Sequence, residues 1–347
     1  MNKKLVALAV SAIAAGAASA QTANVTLYGV VDTYLANIRA NGTGGKSLNV
    51  LDAGGLSGSR WGLRGSEALG GGLNAVFTIE NGFDSSNATL GQGGRLFGRQ
   101  AYVGLNGGFG SLTVGRQYSP IFYVGCSADL DCYSNPSVVT NQFLLIDSTT
   151  TLRIDNSVIY KTPNMGGFTA QGMYAFGEVA GSSSAGRTLG LNGEYSNGPI
   201  YAGLGWGDRK DGTGKTIARN VLGGASYNFG VATVSASYFE FNNPSSTAAK
   251  IKAFHVGGMV PLGAFSVIAQ VGQLKQGSAK QTEFMLGGDY TLSKRTNLYA
   301  RYVSANNNAS SAFDIPGMGG AVGSGAGGAL IAGQDKAALL LGMRHRF

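Results

Sequence analysis

The chain has 347 residues with a formal net charge of +8, 44% apolar and only 13% charged residues, 57 glycines, 7 prolines and 2 cysteines. No run of about 18 consecutive apolar residues occurs, which excludes a helical membrane protein, and 10% aromatic content excludes a disordered polymer. Abundant glycine with little proline fits many short strands and tight turns, so an all-β class is expected.

The first segment is a targeting element. Lys3 and Lys4 precede an apolar run at 5–18 of about 14 residues, too short to span a bilayer, and Ala18-Ser19-Ala20 has the small-x-small form of a cleavage site. Residues 1–20 are expected to be a signal peptide, leaving 21–347 outside the cytoplasm with the charge reduced from +8 by the two lysines.

Short turn signals then follow at 69–72 (LGGG), 107–110 (GGFG), 164–167 (NMGG), 197–199 (NGP), 228–230 (NFG), 261–263 (PLG) and 293–295 (SKR). The last five are spaced by about 32 residues, the length of two strands, one long loop and one tight turn. Seven such turns divide the chain into eight strand-loop-strand units, hence sixteen strands. Between them residues alternate: Leu73, Ala75, Phe77 and Ile79 against Asn74, Val76, Thr78 and Glu80; Leu298, Ala300 and Tyr302 against Asn297, Tyr299 and Arg301. Soluble sandwiches alternate too, but short turns at one end and long polar or glycine-rich loops at the other match a transmembrane barrel, which also leaves no open sheet edge. At the carboxy terminus Leu339, Leu341, Met343, His345 and Phe347 share one face, and Ala338, Leu340, Gly342, Arg344 and Arg346 the other. Arg344 and Arg346 are expected to line one mouth of the barrel.

Residues 25–32 (VTLYGVVD), 58–65 (GSRWGLRG), 98–105 (GRQAYVGL) with 114–120 (VGRQYSP), 153–160 (RIDNSVIY) and the ending 342–347 (GMRHRF) resemble the general diffusion porins of the Gram-negative outer membrane, beta-proteobacterial type. The resemblance runs from end to end of the mature chain. It implies a sixteen-stranded antiparallel barrel, a homotrimer, a third loop folded into the lumen, and a terminal Phe347 read by the outer-membrane barrel assembly machinery. Embedded in outer-membrane lipid, such a barrel would pass small hydrophilic solutes and ions.

One interval supports the third loop independently. The second and third turns lie about 57 residues apart, and the excess falls in 119–151, an insertion that must pack somewhere. This segment holds both cysteines, Cys126 and Cys132. In an oxidising compartment a disulfide is expected; a metal site is the alternative, weakened by the lack of a nearby histidine.

Alternation and resemblance together suggest the pore chemistry. With Trp61 and Leu63 on the lipid face, Arg60 and Arg64 point inward; with Val158 and Tyr160 on it, Arg153 and Asp155 do too. Strict alternation would put Arg116 on the lipid face at a cost of about 2–4 kcal/mol, so a bulge turning it inward is expected. The resemblance groups Arg60, Arg116 and Arg153 as a basic ladder at the constriction. The acids expected opposite it are Asp129, Asp131 and Asp147 on the long loop, and the excess of positive charge would favour anions. The Pro-Glu-Phe-Gly element of enteric relatives is absent, which leaves the acidic partner open.

Other readings compete. An outer-membrane enzyme would need a catalytic set, and the two histidines, His255 on the lumenal face and His345 at the lipid boundary, belong to no Ser/His/Asp arrangement. A substrate-specific channel could use Tyr28, Tyr34, Tyr102 and Tyr299, although girdle aromatics are expected in any barrel. No cofactor, metal or nucleic-acid partner is expected, because the positive charge is dispersed along strands and the glycine run at 317–328 follows no strand-to-helix pattern.

Overall fold

The structure is a computed structural model and describes residues 24–41, 47–132, 134–143, 152–316 and 329–347. The expected signal peptide at 1–20, Asp147 and the glycine run 317–328 lie outside the described residues.

In chain order the strands are β1 (Asn24–Ala40), β2 (Ser47–Ala53), β3 (Arg60–Gly70), β4 (Leu73–Gly82), β5 (Gln100–Gly107) and β6 (Gly110–Tyr118). After helix α1 (Pro120–Ala128) come β7 (Arg153–Lys161), β8 (Phe168–Ala175), β9 (Thr188–Asn197), β10 (Ile200–Lys210), β11 (Thr216–Asn228) and β12 (Thr233–Asn242). β13 (Ile251–Leu262), β14 (Phe265–Gln276), β15 (Ala279–Thr291), β16 (Thr296–Asn307) and β17 (Lys336–Arg346) complete the sheet. Each strand from β3 onward pairs antiparallel with the next, and β17 closes on β1 from Val30↔Arg346 to Ala40↔Lys336. β1 meets β3 through Asn24–Val30 and β2 through Thr33–Arg39. β2 and β3 are therefore two halves of one wall strand, and the seventeen segments make a closed barrel of sixteen strands. All seven turn signals join the tips of consecutive paired strands. At the first of them Gly70, Gly71 and Gly72 all have positive φ, a backbone that side chains resist.

The two faces follow the alternation. On β17, Leu339, Leu341 and Met343 are about half exposed, whereas Lys336, Ala338 and Leu340 are buried. Large apolar residues such as Leu35, Leu204 and Val271 repeat this pattern around the outside, where hydrocarbon rather than water would cover them. Part of the inner face is also apolar: Tyr34, Ile38, Met285, Val303 and Leu340 form one buried cluster with Val138 and Ile315.

α1 begins where β6 leaves the wall. Ser119 Oγ accepts from Phe122 N at 3.3 Å and Pro120 occupies the first turn, a favourable helix start. Ile121, Val124 and Ala128 then press against β9–β11, on the face opposite the exposed Leu204. Glycines make that contact possible: a Cβ at Gly224 would collide with Ala128 Cβ, and one at Gly205 would lie 2.9 Å from Ile121 Cγ1. A disulfide joins Cys126 to Cys132 at the end of α1. The following helical stretch, 138–143, is tied to β13–β15: Val138 N donates to Gln270 Oε1 at 2.9 Å, Gln142 Nε2 to the Phe254 carbonyl at 3.0 Å, and Asn141 to Glu283.

The break between β2 and β3 is organised by one carboxylate. Asp32 is fully buried; its Oδ2 accepts from Leu56 N and Ser57 N at 2.9 and 2.8 Å, and its Oδ1 from Tyr299 Oη at 2.6 Å. The Asp32 carbonyl also accepts from Gly54 N, and the Gly55 carbonyl accepts from Asn135 N. Removing the Asp32 carboxylate strands three donors, Leu56 N and Tyr299 Oη buried and Ser57 N half-buried, each costing up to about 1–3 kcal/mol. Asp32→Ala is therefore expected to destabilise the folded barrel in detergent by about 3 kcal/mol or more, read as a lower denaturant midpoint by tryptophan fluorescence and heat-modified gel mobility.

Candidate functional site

Within the barrel a cavity of about 980 Å³ lies between the wall and the segment that follows β6. Six arginines line it: Arg60 and Arg64 from β3, Arg99 just before β5, Arg153 at the start of β7, and Arg344 and Arg346 from β17. Among the described residues two carboxylates accompany them, Glu80 on β4 and Asp131 on the loop.

Glu80 is enclosed by donors. Arg99 Nε is 2.7 Å from its Oε1, Arg60 Nε 3.7 Å from its Oε2, and Tyr28 Oη donates to it at 3.0 Å. Arg99 Nη2 and Arg153 Nη2 both donate to Tyr118 Oη, at 2.8 and 2.7 Å, and the Arg153 guanidinium sits 4.6 Å from the centre of the Tyr118 ring. Arg64 lies over Tyr28 at 5.2 Å. Arg344 donates to Ser57 Oγ and Asn297 Oδ1 at 2.9 and 3.1 Å. Guanidinium groups remain charged at physiological pH, so this is a fixed positive field.

Arg60 and Arg153 thus meet in one cavity, together with Arg64, Arg344 and Arg346, but Arg116 does not join them. A bulge exists, though on the partner strand: Gly115 pairs with Ser157 and Gln117 with Ile154, so Asp155 and Asn156 on β7 oppose Arg116 alone. Asn156 takes a φ of 54°. The extra residue turns Asp155 out toward Arg116, whose Nη1 is 2.7 Å from Asp155 Oδ1 and whose Nε donates to the Gly98 carbonyl at 2.7 Å; Arg95 binds the same carboxylate at 2.9 Å. This corrects the inward placement of both Arg116 and Asp155. The outward register is kept and the arginine's charge is met there by a carboxylate and a carbonyl.

The loop acids also differ from expectation. Asp131 reaches the cavity, but Arg301 holds it bidentately, Nε to Oδ2 and Nη2 to Oδ1 each at 3.0 Å; Arg301 is itself fully buried and also bonds Asp289 at 2.7 Å. Asp129 is buried, accepting from Ser137 Oγ at 2.7 Å, Gln270 Nε2 at 2.9 Å and Asp131 N at 3.0 Å. Neither stands opposite the arginines as an open carboxylate, because a carboxylate removed from water needs donors and these have found theirs in the wall and in the segment itself. Of the two histidines, His255 is buried on the inward row of β13, and His345 is exposed beside Thr296 Oγ1 at 2.9 Å. Tyr28, Tyr102 and Tyr118 line the cavity, whereas Tyr34 and Tyr299 are buried against Asp52 and Asp32. Phe347 pairs with Gly29 through two backbone hydrogen bonds of 3.0 and 3.1 Å, the last rung of the β1–β17 seam.

Two residues of consequence had no assigned role. Arg99 stands inside the 98–105 motif, but alternation back from the inward Tyr102 and Gln100 would face it outward; it turns in because the chain bends there before β5 begins. Arg301 alternated correctly to the inner face, and its partner on a distant loop left no local signal.

A family profile described as Gram-negative porin matches residues 7–310. Outer membrane porin protein 32 of Delftia acidovorans is 35% identical, with 100% of both chains covered, and an outer membrane porin protein of Bordetella pertussis is 32% identical over 86% of this chain and 93% of that one. Among solved structures, an anion-selective porin from Comamonas acidovorans superposes with a TM-score of 0.80 at 31% identity, over 94% of this chain and 100% of that one. A trimer form of OmpT from Vibrio cholerae, at 17% identity and a TM-score of 0.68 over 94% of this chain and 100% of that one, shares the fold.

Arg301→Met leaves Asp131 and Asp289 without their shared guanidinium. The expected cost is about 3–5 kcal/mol, the usual range for breaking a buried pair, read as a lower unfolding midpoint in detergent; adding Asp131→Asn should recover part of it.

Proposed function

The chain belongs to the Gram-negative porin family, and on that premise we propose that it is an anion-preferring diffusion channel whose constriction is formed by the 119–151 segment folded into the lumen. Its place is the outer membrane, which it crosses as a β-barrel channel. The charge balance of the cavity carries the selectivity reading. Six arginines line it, and the two carboxylates among them are engaged, Glu80 by Arg99 and Asp131 by Arg301. A low-dielectric wall with that excess concentrates small anions and repels cations without any binding step. Arg60, Arg99 and Arg153 are the proposed ladder, with Arg64, Arg344 and Arg346 extending the field along the wall. The anion-selective neighbour from Comamonas acidovorans supports the same preference.

The remaining parts of the reading follow the family. Small hydrophilic solutes would pass by diffusion, with no chemical step. A homotrimer is the proposed assembly, supported by the trimer form of a structural neighbour. Residues 1–20 would be removed on export, and Phe347, on the seam, would serve recognition by the barrel assembly machinery.

Reversal potential across a potassium chloride gradient, with the purified protein in a planar bilayer, tests the reading. The sign should be that of chloride. Arg60→Ala and Arg153→Ala should each move it toward potassium, while Arg116→Ala should leave it in place; a potassium-sided value, or no response to either of the first two, would overturn the proposal. Deleting Phe347 should lower the yield of heat-modifiable barrels in membranes, and the channels that do assemble should keep their single-channel conductance.

A further inference from the structure

We propose that the arginine-lined cavity binds amphiphilic carboxylates, anions with an aromatic or short aliphatic body, and retains them longer than hydrophilic anions of equal charge. The inference rests on the anion-preferring reading above and adds a substrate class to it.

The described loop side facing the arginines is mixed: Asn135 and Thr140 bring polar groups, and an apolar strip runs beside them. With Asp131 fastened to Arg301 and Asp129 buried against Gln270 and Ser137, the loop side of the cavity is made in part by Phe122, Phe143 and Leu152. Phe122 stacks on Tyr118, ring centres 4.0 Å apart and planes 16° from parallel. Tyr118 in turn receives hydrogen bonds from Arg99 and Arg153 and lies under the Arg153 guanidinium. Guanidinium donors and an aromatic stack are therefore side by side, the pairing an aromatic carboxylate requires. A carboxylate drawn to the arginines would lie with its body along Phe122 and Leu152.

The distinction between anions follows from desolvation. Chloride or acetate gains only the field of the arginines and keeps most of its water. An anion with a ring or a chain of several carbons also removes apolar surface from water, and about 60 Å² of such burial raises occupancy about tenfold. Guanidinium–carboxylate geometry is directional as well, so the anion is oriented with its body toward the loop. The same contacts that favour entry slow departure, and such a solute should interrupt chloride current while it resides.

The test uses the full-length channel in a planar bilayer in potassium chloride, with acetate, hexanoate and benzoate as probes. The reversal potential is recorded first, and a potassium-sided value defeats the anion-preferring reading itself. In a chloride-preferring channel, benzoate and hexanoate should halve the single-channel current at concentrations at least about tenfold below that needed with acetate. Phe122→Ser should bring the benzoate and acetate values together by at least about threefold. Equal potency of acetate, hexanoate and benzoate in a chloride-preferring channel overturns the proposal, and so does a benzoate effect that Phe122→Ser leaves whole. Should that variant fail to assemble, the comparison among the three anions in the unaltered chain still decides.

Discussion

A wall that crosses hydrocarbon has to pair its own backbone, because no water is present at that depth to do so. The seam between β1 and β17 is where this requirement is met last, by eleven registered positions and then by Phe347 against Gly29. Once the seam's register is set, the direction of every side chain near it is set as well, since a slip of one residue would exchange the two faces. Leu339 and Leu341 must then face outward and Arg344 and Arg346 inward. The chemistry of the cavity depends on a hydrogen-bonding constraint that itself carries no charge.

The loop side follows a second constraint, that polar groups removed from water must find partners. α1 reaches the wall because Gly205 and Gly224 leave space for Ile121 and Ala128. Asp129, Asp131 and Asn141 then anchor the segment to Gln270, Arg301 and Glu283. Using the acids as anchors removes them from the electrostatics of the cavity. The segment's position and the charge left in the cavity are thus linked: the bonds that hold the segment also leave the arginines in excess among the described residues.

Much of this was legible in the chain itself. All seven tight turns and the strand faces of β3, β4, β16 and β17 followed from period-two alternation and turn residues, because both are local. The excess length at 119–151 marked an insertion, whose described helix Pro120–Ala128 lies against β9–β11. Where the reading failed, the cause was a departure from regular pleat or a contact far off in the chain. The bulge at Asp155 and Asn156 reversed the expected direction of Asp155, and the bend before Gln100 turned Arg99 inward. Nothing near Asp131 indicated that Arg301, 170 residues later, would claim its carboxylate. The interruption at 54–59, organised by the buried Asp32, was likewise invisible to alternation, which continues correctly on both sides of it.

The arginines of the cavity come from opposite ends of the polypeptide. Arg60 and Arg64 lie on the strand after β1, Arg344 and Arg346 on the final strand, and the two sets become neighbours only across the seam. A half-built barrel would hold one set without the other and would have an open edge rather than a lumen. The lumen and the full set of arginines that line it are therefore completed by the same seam, the closing of the wall.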